Sequence, residues 1–134
     1  MFTMSTYKRK AHTEAPAYHH GNLRSALVQE GLALLEDSPE NAVSLRELTR
    51  RLGVSPNAAY RHFRNKDALL AALAAEGFRQ LAAQQMAAMQ KGRTPADGFL
   101  QSGCAYVAFA ITHPALFRLM FGRFTSNHND NELQ

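Results

Sequence analysis

The stretch from Ser44 to Asp67, SLRELTRRLGVSPNAAYRHFRNKD, decides the fold, and the rest of the 134-residue chain is read outward from it. Leu45, Leu48 and Leu52 recur at helical spacing and define one buried stripe, which leaves Arg46, Arg50 and Arg51 to solvent. Ser44 with Glu47 three residues on makes a capping box, so this helix has a definite start. Gly53 follows Leu52 directly, where a glycine can take the left-handed conformation that ends a helix and turns the chain. Ser55 offers a second N-cap and Pro56 takes the first helical position, where its missing N–H costs nothing. A short helix, a turn of about three to four residues and a second short helix predict a helix-turn-helix.

On a second helix from Pro56 to Phe63, Ala59 and Phe63 lie one turn apart and face inward. That turns Asn57 and Arg61 outward, with Ala58 and Tyr60 flanking them. Asn pairs in bidentate fashion with adenine, Arg with guanine, and a small Ala allows approach to a thymine methyl. Local charge agrees: from Ala42 to Lys66 there are six cations, Arg46, Arg50, Arg51, Arg61, Arg64 and Lys66, against the single anion Glu47. Such a field suits a phosphate backbone. The competing reading is an arginine-rich solvated face, but caps, glycine turn, outward Asn and Arg, and local charge together favour a DNA reader.

The run GVSPNAAYRHFRNKDALL resembles the signature of the tetracycline-repressor (TetR) family of bacterial transcriptional regulators. The family's G-V-S, Y-x-H-F and K-x-x-L spacing is matched by Gly53-Val54-Ser55, Tyr60 to Phe63, and Lys66 to Leu69. The resemblance implies that Pro56, Asn57, Ala58 and Tyr60 approach bases, and that Ser44, Tyr60, His62 and Lys66 hold phosphates. Thr49 departs from it, since the family usually has alanine where the two helices cross, and the larger side chain predicts a slightly wider crossing.

Composition narrows the alternatives. The chain is 46% hydrophobic and 19% charged, which suits one ordinary core, or one small domain plus part of another, rather than a disordered segment. No run of eighteen apolar residues and no charged start followed by an apolar stretch and cleavage site occurs, so neither a membrane span nor secretion is expected, and the cytoplasm is. A single cysteine, Cys104, excludes an internal disulfide and fits a reducing compartment. Residues 1–66 hold ten Lys and Arg against six Asp and Glu, whereas residues 67–134 hold five of each. The whole net charge of +4 therefore lies in the half carrying the reader.

In chain order, Met1 to Ala17 has no periodicity and carries Lys8, Arg9, Lys10 and His12; it reads as a flexible terminus, or as a basic arm that tracks phosphates. His19-His20 is too close for a two-ligand helical metal site, and YHHGNLR resembles the start of the family's first helix. Asn22 caps a helix running to about Glu36, with Leu23, Ala26, Leu27, Leu34 and Leu35 inward, and Asp37-Ser38-Pro39 ends it. Asn65 caps a long fourth helix from Lys66 to about Lys91, whose start combines a positive macrodipole end with a lysine. Thr94 and Pro95 open a fifth helix that is apolar nearly all round and so predicted to be buried on several sides. His113-Pro114 starts a sixth, dense in Leu116, Phe117, Leu119, Met120, Phe121 and Phe124.

The run AYVAFAITHPALFRLMF resembles the start of the ligand domain in a TetR subfamily named for a later Trp-His-Gly motif, which this tryptophan-free chain lacks. The resemblance covers about Tyr18 to Phe124 and predicts a body shorter than the family's. The expectation is thus an all-α chain: an arm (1–17), a helix-turn-helix domain (18–67), a connecting helix with a truncated ligand-binding or dimerisation body (68–124), and a polar tail (125–134). Phe78, Cys104, Val107, Phe117, Met120 and Phe121 are candidates to line a pocket for an apolar small-molecule effector, with plain core as the alternative. With only Arg118 and Arg123 to solvate it, the sixth helix predicts an exposed apolar surface that a second copy covers, giving a homodimer through helices five and six. The implied partner is a double-stranded DNA operator; no cofactor or metal is expected. A truncated interaction module that titrates a full-length regulator through mixed dimers is the alternative. An enzyme is disfavoured, because no phosphate loop, metal cluster or nucleophile beside a base is found.

Overall fold

Four short polar side chains set where helices begin. Ser44 Oγ accepts the Glu47 N–H at 3.1 Å, Ser55 Oγ that of Ala58 at 3.3 Å, Asn65 Oδ1 that of Ala68 at 2.9 Å, and Thr94 Oγ1 that of Asp97 at 3.1 Å. Each satisfies an amide that the first turn of a helix would otherwise leave orphaned. The computed structural model describes residues 22–37 and 43–122; the arm, the His19-His20 doublet, Ser38-Pro39, Phe124 and the polar tail lie outside the described residues. The helices are α1 (Leu23–Asp37), α2 (Leu45–Leu52), α3 (Pro56–Tyr60), α4 (Lys66–Gln90) and α5 (Pro95–Thr112), followed by α6 (Pro114–Gly122). No strand occurs among the described residues, so the chain is all-α.

Gly53 ends α2 as its position predicts. It sits at φ 69°, ψ 30°, a left-handed conformation that disfavours any residue with a Cβ. Its N–H reaches Arg50 O and the Val54 N–H reaches Thr49 O, so two of the last carbonyls of α2 are satisfied by the turn itself. Thr49 is buried, and its hydroxyl donates to Arg46 O at 2.9 Å inside its own helix. The extra polar atom therefore needs no partner from a neighbouring helix. α3 is shorter than its apolar spacing predicts, ending at Tyr60 rather than Phe63. The N–H groups of His62 and Phe63 both converge on Ala59 O, a tightened turn that still delivers Phe63 to the core at 1% exposure.

One apolar core runs from Leu23 to Met120, and Leu27, Val43, Leu48, Leu69 and Leu73 are among its fully buried members. The first half of α4 closes the head formed by α1 to α3, and its second half carries α5 and α6. The two layers meet at Gly77, where a Cβ would come within 2.6 Å of Met120 Sδ and 3.0 Å of Leu116 Cδ1. The glycine lets α6 lie against α4 without displacing the Met120 and Leu116 side chains. Gly77→Val should cost about 1–3 kcal/mol by overpacking, read as a lower melting temperature; an unchanged melting point would mean that α6 moves aside freely.

Two expectations about the body are corrected. α6 turns most of its apolar surface inward, with Leu116, Leu119 and Met120 in the core at no more than 4% exposure, while Phe121 stays exposed. The uncovered helix is α5, of which only Gly98 and Phe109 are buried. A bend of 105° at His113 folds α6 back onto α4, and among the described residues the far side of α5 stays exposed.

Candidate nucleic-acid interface

The helix-turn-helix displays its polar residues as a consequence of what it buries. Ala59 and Phe63 anchor α3 from beneath, which leaves Ser55, Pro56, Asn57, Tyr60 and Arg61 exposed and Ala58 half-buried beside them. Ser44 and His62 are half-buried, and Lys66 is exposed at the first position of α4. Tyr60 is 52% exposed, so its ring and hydroxyl are free to meet a ligand. Pro56 at the start of α3 removes one N–H that would need a partner.

The electrostatics differ from the simple count of charges. The Glu47 carboxylate does not complete the capping box on Ser44. It takes hydrogen bonds from Arg50 at 2.6 and 3.1 Å and from Arg51 at 3.2 Å, while Arg51 also reaches Glu30 on α1 at 3.4 Å. Charge-assisted bonds to two guanidinium groups outcompete one neutral amide. Two of the six local cations are thus compensated on the protein. Arg46, Arg61 and Arg64 are exposed and make no ion pair with a carboxylate among the described residues, and they lie with Lys66 in the same short segment.

Hydrogen bonds from Arg50 first and Arg51 second hold the Glu47 carboxyl at about 2, below its ordinary 4.5. Because folding lowers this pKa, the stability it contributes is present above about 4.5 and is lost as pH falls through about 2. The difference in melting temperature between the wild-type chain and Glu47→Gln should therefore shrink steadily across that acid window. A difference that is constant there would assign the effect of the substitution to something other than this ion pair.

Arg24 joins the site from α1, a residue the sequence reading did not single out. Its guanidinium lies 4.7 Å from the centroid of the Phe63 ring, a cation–π contact that holds an exposed charge beside the end of α3. Nothing in the sequence marks it among fifteen Lys and Arg, since the contact joins residues far apart in the chain.

The six candidate pocket residues fall in three places. Phe78, Phe117 and Phe121 meet between α4 and α6, with centroids 5.4 Å (Phe78–Phe121) and 4.6 Å (Phe117–Phe121) apart, and Tyr106 of α5 joins them edge-on to Phe117 at 5.6 Å. Met120 is buried against Gly77. Cys104 and Val107 are exposed on α5 beside Phe99 and Leu100, in an open apolar depression separate from the aromatic cluster. Among the described residues no group of His, Cys, Asp and Glu is arranged to hold a metal ion. No single described helix is long and apolar enough to cross a membrane.

Two capped short helices around a left-handed glycine, backed by α1 and α4, define a helix-turn-helix domain. That domain matches the family model of the tetR family of bacterial regulatory proteins over residues 27–73. It is 47% identical over 51 residues to the class C tetracycline repressor protein of Escherichia coli, covering 38% of this chain and 23% of that one. It is 30% identical over 97 residues to the HTH-type transcriptional regulator YobS of Bacillus subtilis, covering 72% and 50%. A match to the HTH-type transcriptional regulator BetI of Rhizobium meliloti has 35% identity over 74 residues, covering 55% and 36%. The fold is also that of a solved protein of unknown function from Rhodococcus sp. RHA1, with a TM-score of 0.70 and 42% identity over 78% of this chain and 55% of that one. The chain spans half or less of the length of these curated relatives.

Proposed function

We propose that the chain is a sequence-specific DNA-binding transcriptional regulator, a repressor that sets α3 into the major groove of a duplex operator. The observation that carries this reading is the reader helix itself, in which Pro56, Asn57, Tyr60 and Arg61 are displayed by the burial of Ala59 and Phe63. In this reading Pro56, Asn57, Ala58, Tyr60 and Arg61 meet bases, while Ser44, Ser55, His62 and Lys66 position the head on phosphates. Residues 18–67 act as the DNA-binding domain and residues 68–124 as connecting helix and body. Two copies are needed to read a two-fold operator with half-sites about one helical turn apart. The names of the E. coli, B. subtilis and R. meliloti relatives support regulation over catalysis, and a DNA-bound function belongs in the cytoplasm.

Response to a ligand is the finer part of the proposal. An apolar effector would lodge at the aromatic cluster of Phe78, Phe117 and Phe121 and displace α6 from α4. Two contacts offer a route from there to the head. α4 is continuous from the cluster to Lys66, and His113 Nδ1 at the bend between α5 and α6 lies 2.7 Å from Glu36 Oε1 near the end of α1. DNA and effector affinities would then be reciprocally linked.

The test is selection of bound duplexes from a random pool at physiological salt, followed by gel shifts with the winners and scrambled controls. Enrichment of a two-fold sequence is the expected result; retention of the pool without enrichment would reduce the function to non-specific binding. A thermal-shift screen with apolar and aromatic compounds addresses the effector, since a ligand of the native state raises the melting point. If no compound produces a shift that Phe117→Ala abolishes, the cluster is core.

A further inference from the structure

Arg24 is an exposed cation that its surroundings do not neutralise. It makes no hydrogen bond and no ion pair with a carboxylate among the described residues. The first turn of α1, which contains it, has no acidic residue. Its side chain lines a groove between α1 and α4 in which Glu76 is the one acid, and that carboxylate is already taken by Arg79 at 2.5 and 2.8 Å. Arg50 and Arg51 stand in contrast, since their guanidinium groups are engaged by Glu47 and Glu30.

The same side chain is held in one place. Its guanidinium carbon lies 4.7 Å from the centroid of the Phe63 ring, and that ring is fixed by the core at 1% exposure. Phe63 stands two residues after Arg61 and three before Lys66. The ring therefore brings the charge of Arg24 to the end of the reader helix, beside Arg61, Arg64 and Lys66, although α1 is distant in sequence. Attraction to the face of a ring uses no N–H, so the donors of the guanidinium stay available for a ligand. Covering a ring needs no charge, because a methionine or leucine would shield it as well. What arginine adds is a rigid fork of N–H groups that matches the oxygens of a phosphate.

We propose that Arg24 is a phosphate-binding residue of the DNA interface, gripping the backbone beside the end of α3 while the Phe63 ring holds it in position. This rests on the reading of the head as a DNA reader and adds α1 to the elements that touch the duplex. The contact is to the backbone because Arg24 stands on α1 and not on the outward face of α3, so it fixes the head on the duplex and carries no sequence information.

The experiment is a salt titration of the full chain with a duplex from the random-pool selection and a scrambled duplex of the same length, comparing wild type with Arg24→Gln, Arg24→Met and Arg24→Lys. Arg24→Gln should weaken both duplexes roughly fivefold at about 0.15 M salt, the effect of one counterion no longer released, and flatten the slope of log affinity against log salt by about 0.9. Arg24→Met, which covers the ring without a charge, should do the same. Arg24→Lys should restore the slope but only part of the affinity, because an ammonium lacks the fork. Melting temperature and circular dichroism of each variant are read without DNA. A loss of affinity at the wild-type slope, or one that follows a lower melting temperature and is repaired by Arg24→Met, assigns Arg24 to folding and overturns the proposal. So does a loss confined to the selected duplex, which would make Arg24 a base reader, or a slope that Arg24→Lys leaves flat. A wild-type chain that binds neither duplex overturns the DNA reading and this proposal with it. Binding by wild type that Arg24→Gln leaves unchanged overturns this proposal alone.

Discussion

Phe63→Ala is expected to cost about 3–5 kcal/mol, the range for truncating a fully buried phenylalanine. That is a large fraction of the roughly 5–15 kcal/mol by which a domain of this kind is stable. Phe63 is among the largest fully buried side chains, and it sits where the chain leaves α3 for α4, so its removal unpins the reader helix as well as opening a cavity. α3 has five residues and cannot hold its conformation from propensity alone. The ring also supports the Arg24 guanidinium. Urea unfolding followed by circular dichroism should show a lower midpoint, and operator binding should fall even where most molecules remain helical. Arg24→Ala serves as the control, because loss of an exposed cation–π contact costs only about 0.5–1 kcal/mol. A Phe63→Ala chain within 1 kcal/mol of wild type by the same measurement would mean that the core closes over the cavity and that α3 is anchored elsewhere.

The head is legible in the sequence because its determinants are local. Ser44, Ser55, Asn65 and Thr94 each cap the helix that follows within three residues, and Gly53 needs only its own backbone to turn the chain. Leu45, Leu48 and Leu52 face one way because helical spacing dictates it, and all three are buried. Where several partners compete for one group, sequence spacing does not decide. Glu47 stands three residues from Ser44 and Arg50 and four from Arg51, and only the strength of the charged bonds explains why the arginines win. The body is less legible for a different reason. α5 and α6 are both rich in apolar residues, so periodicity cannot say which is covered. The 105° bend at His113 settles it by placing Leu116, Leu119 and Met120 against α4, and a bend angle is not written in hydrophobic spacing. The proposed pocket residues were separated by the same cause: Cys104 and Val107 share a helix with Tyr106 but project from another side of it.

Arg61→Ala should lower affinity for the selected operator by about 1–3 kcal/mol, roughly ten- to a hundredfold, while Lys66→Ala lowers affinity for every duplex alike. The difference follows from where the two cations stand. Arg61 is the exposed residue that closes α3, one turn beyond Asn57, and a guanidinium there can engage a guanine edge with two parallel hydrogen bonds. Lys66 begins α4, next to the Asn65 cap, where an ammonium and the helix N-terminus together suit a phosphate, which carries no sequence information. Removing one phosphate contact should reduce the slope of log affinity against log salt by about one unit. A contact to a base edge should leave that slope nearly unchanged. Salt titrations of the wild-type chain and both variants, each with the operator and a scrambled duplex, separate the roles. Arg61→Ala should narrow the gap between the two duplexes, and Lys66→Ala should preserve the gap while flattening both slopes. If Arg61→Ala instead weakens both duplexes equally with a smaller salt slope, Arg61 holds the backbone and base reading falls to Asn57 and Tyr60. Asn57→Ala on the same pair of duplexes should then show the loss of preference that Arg61→Ala does not.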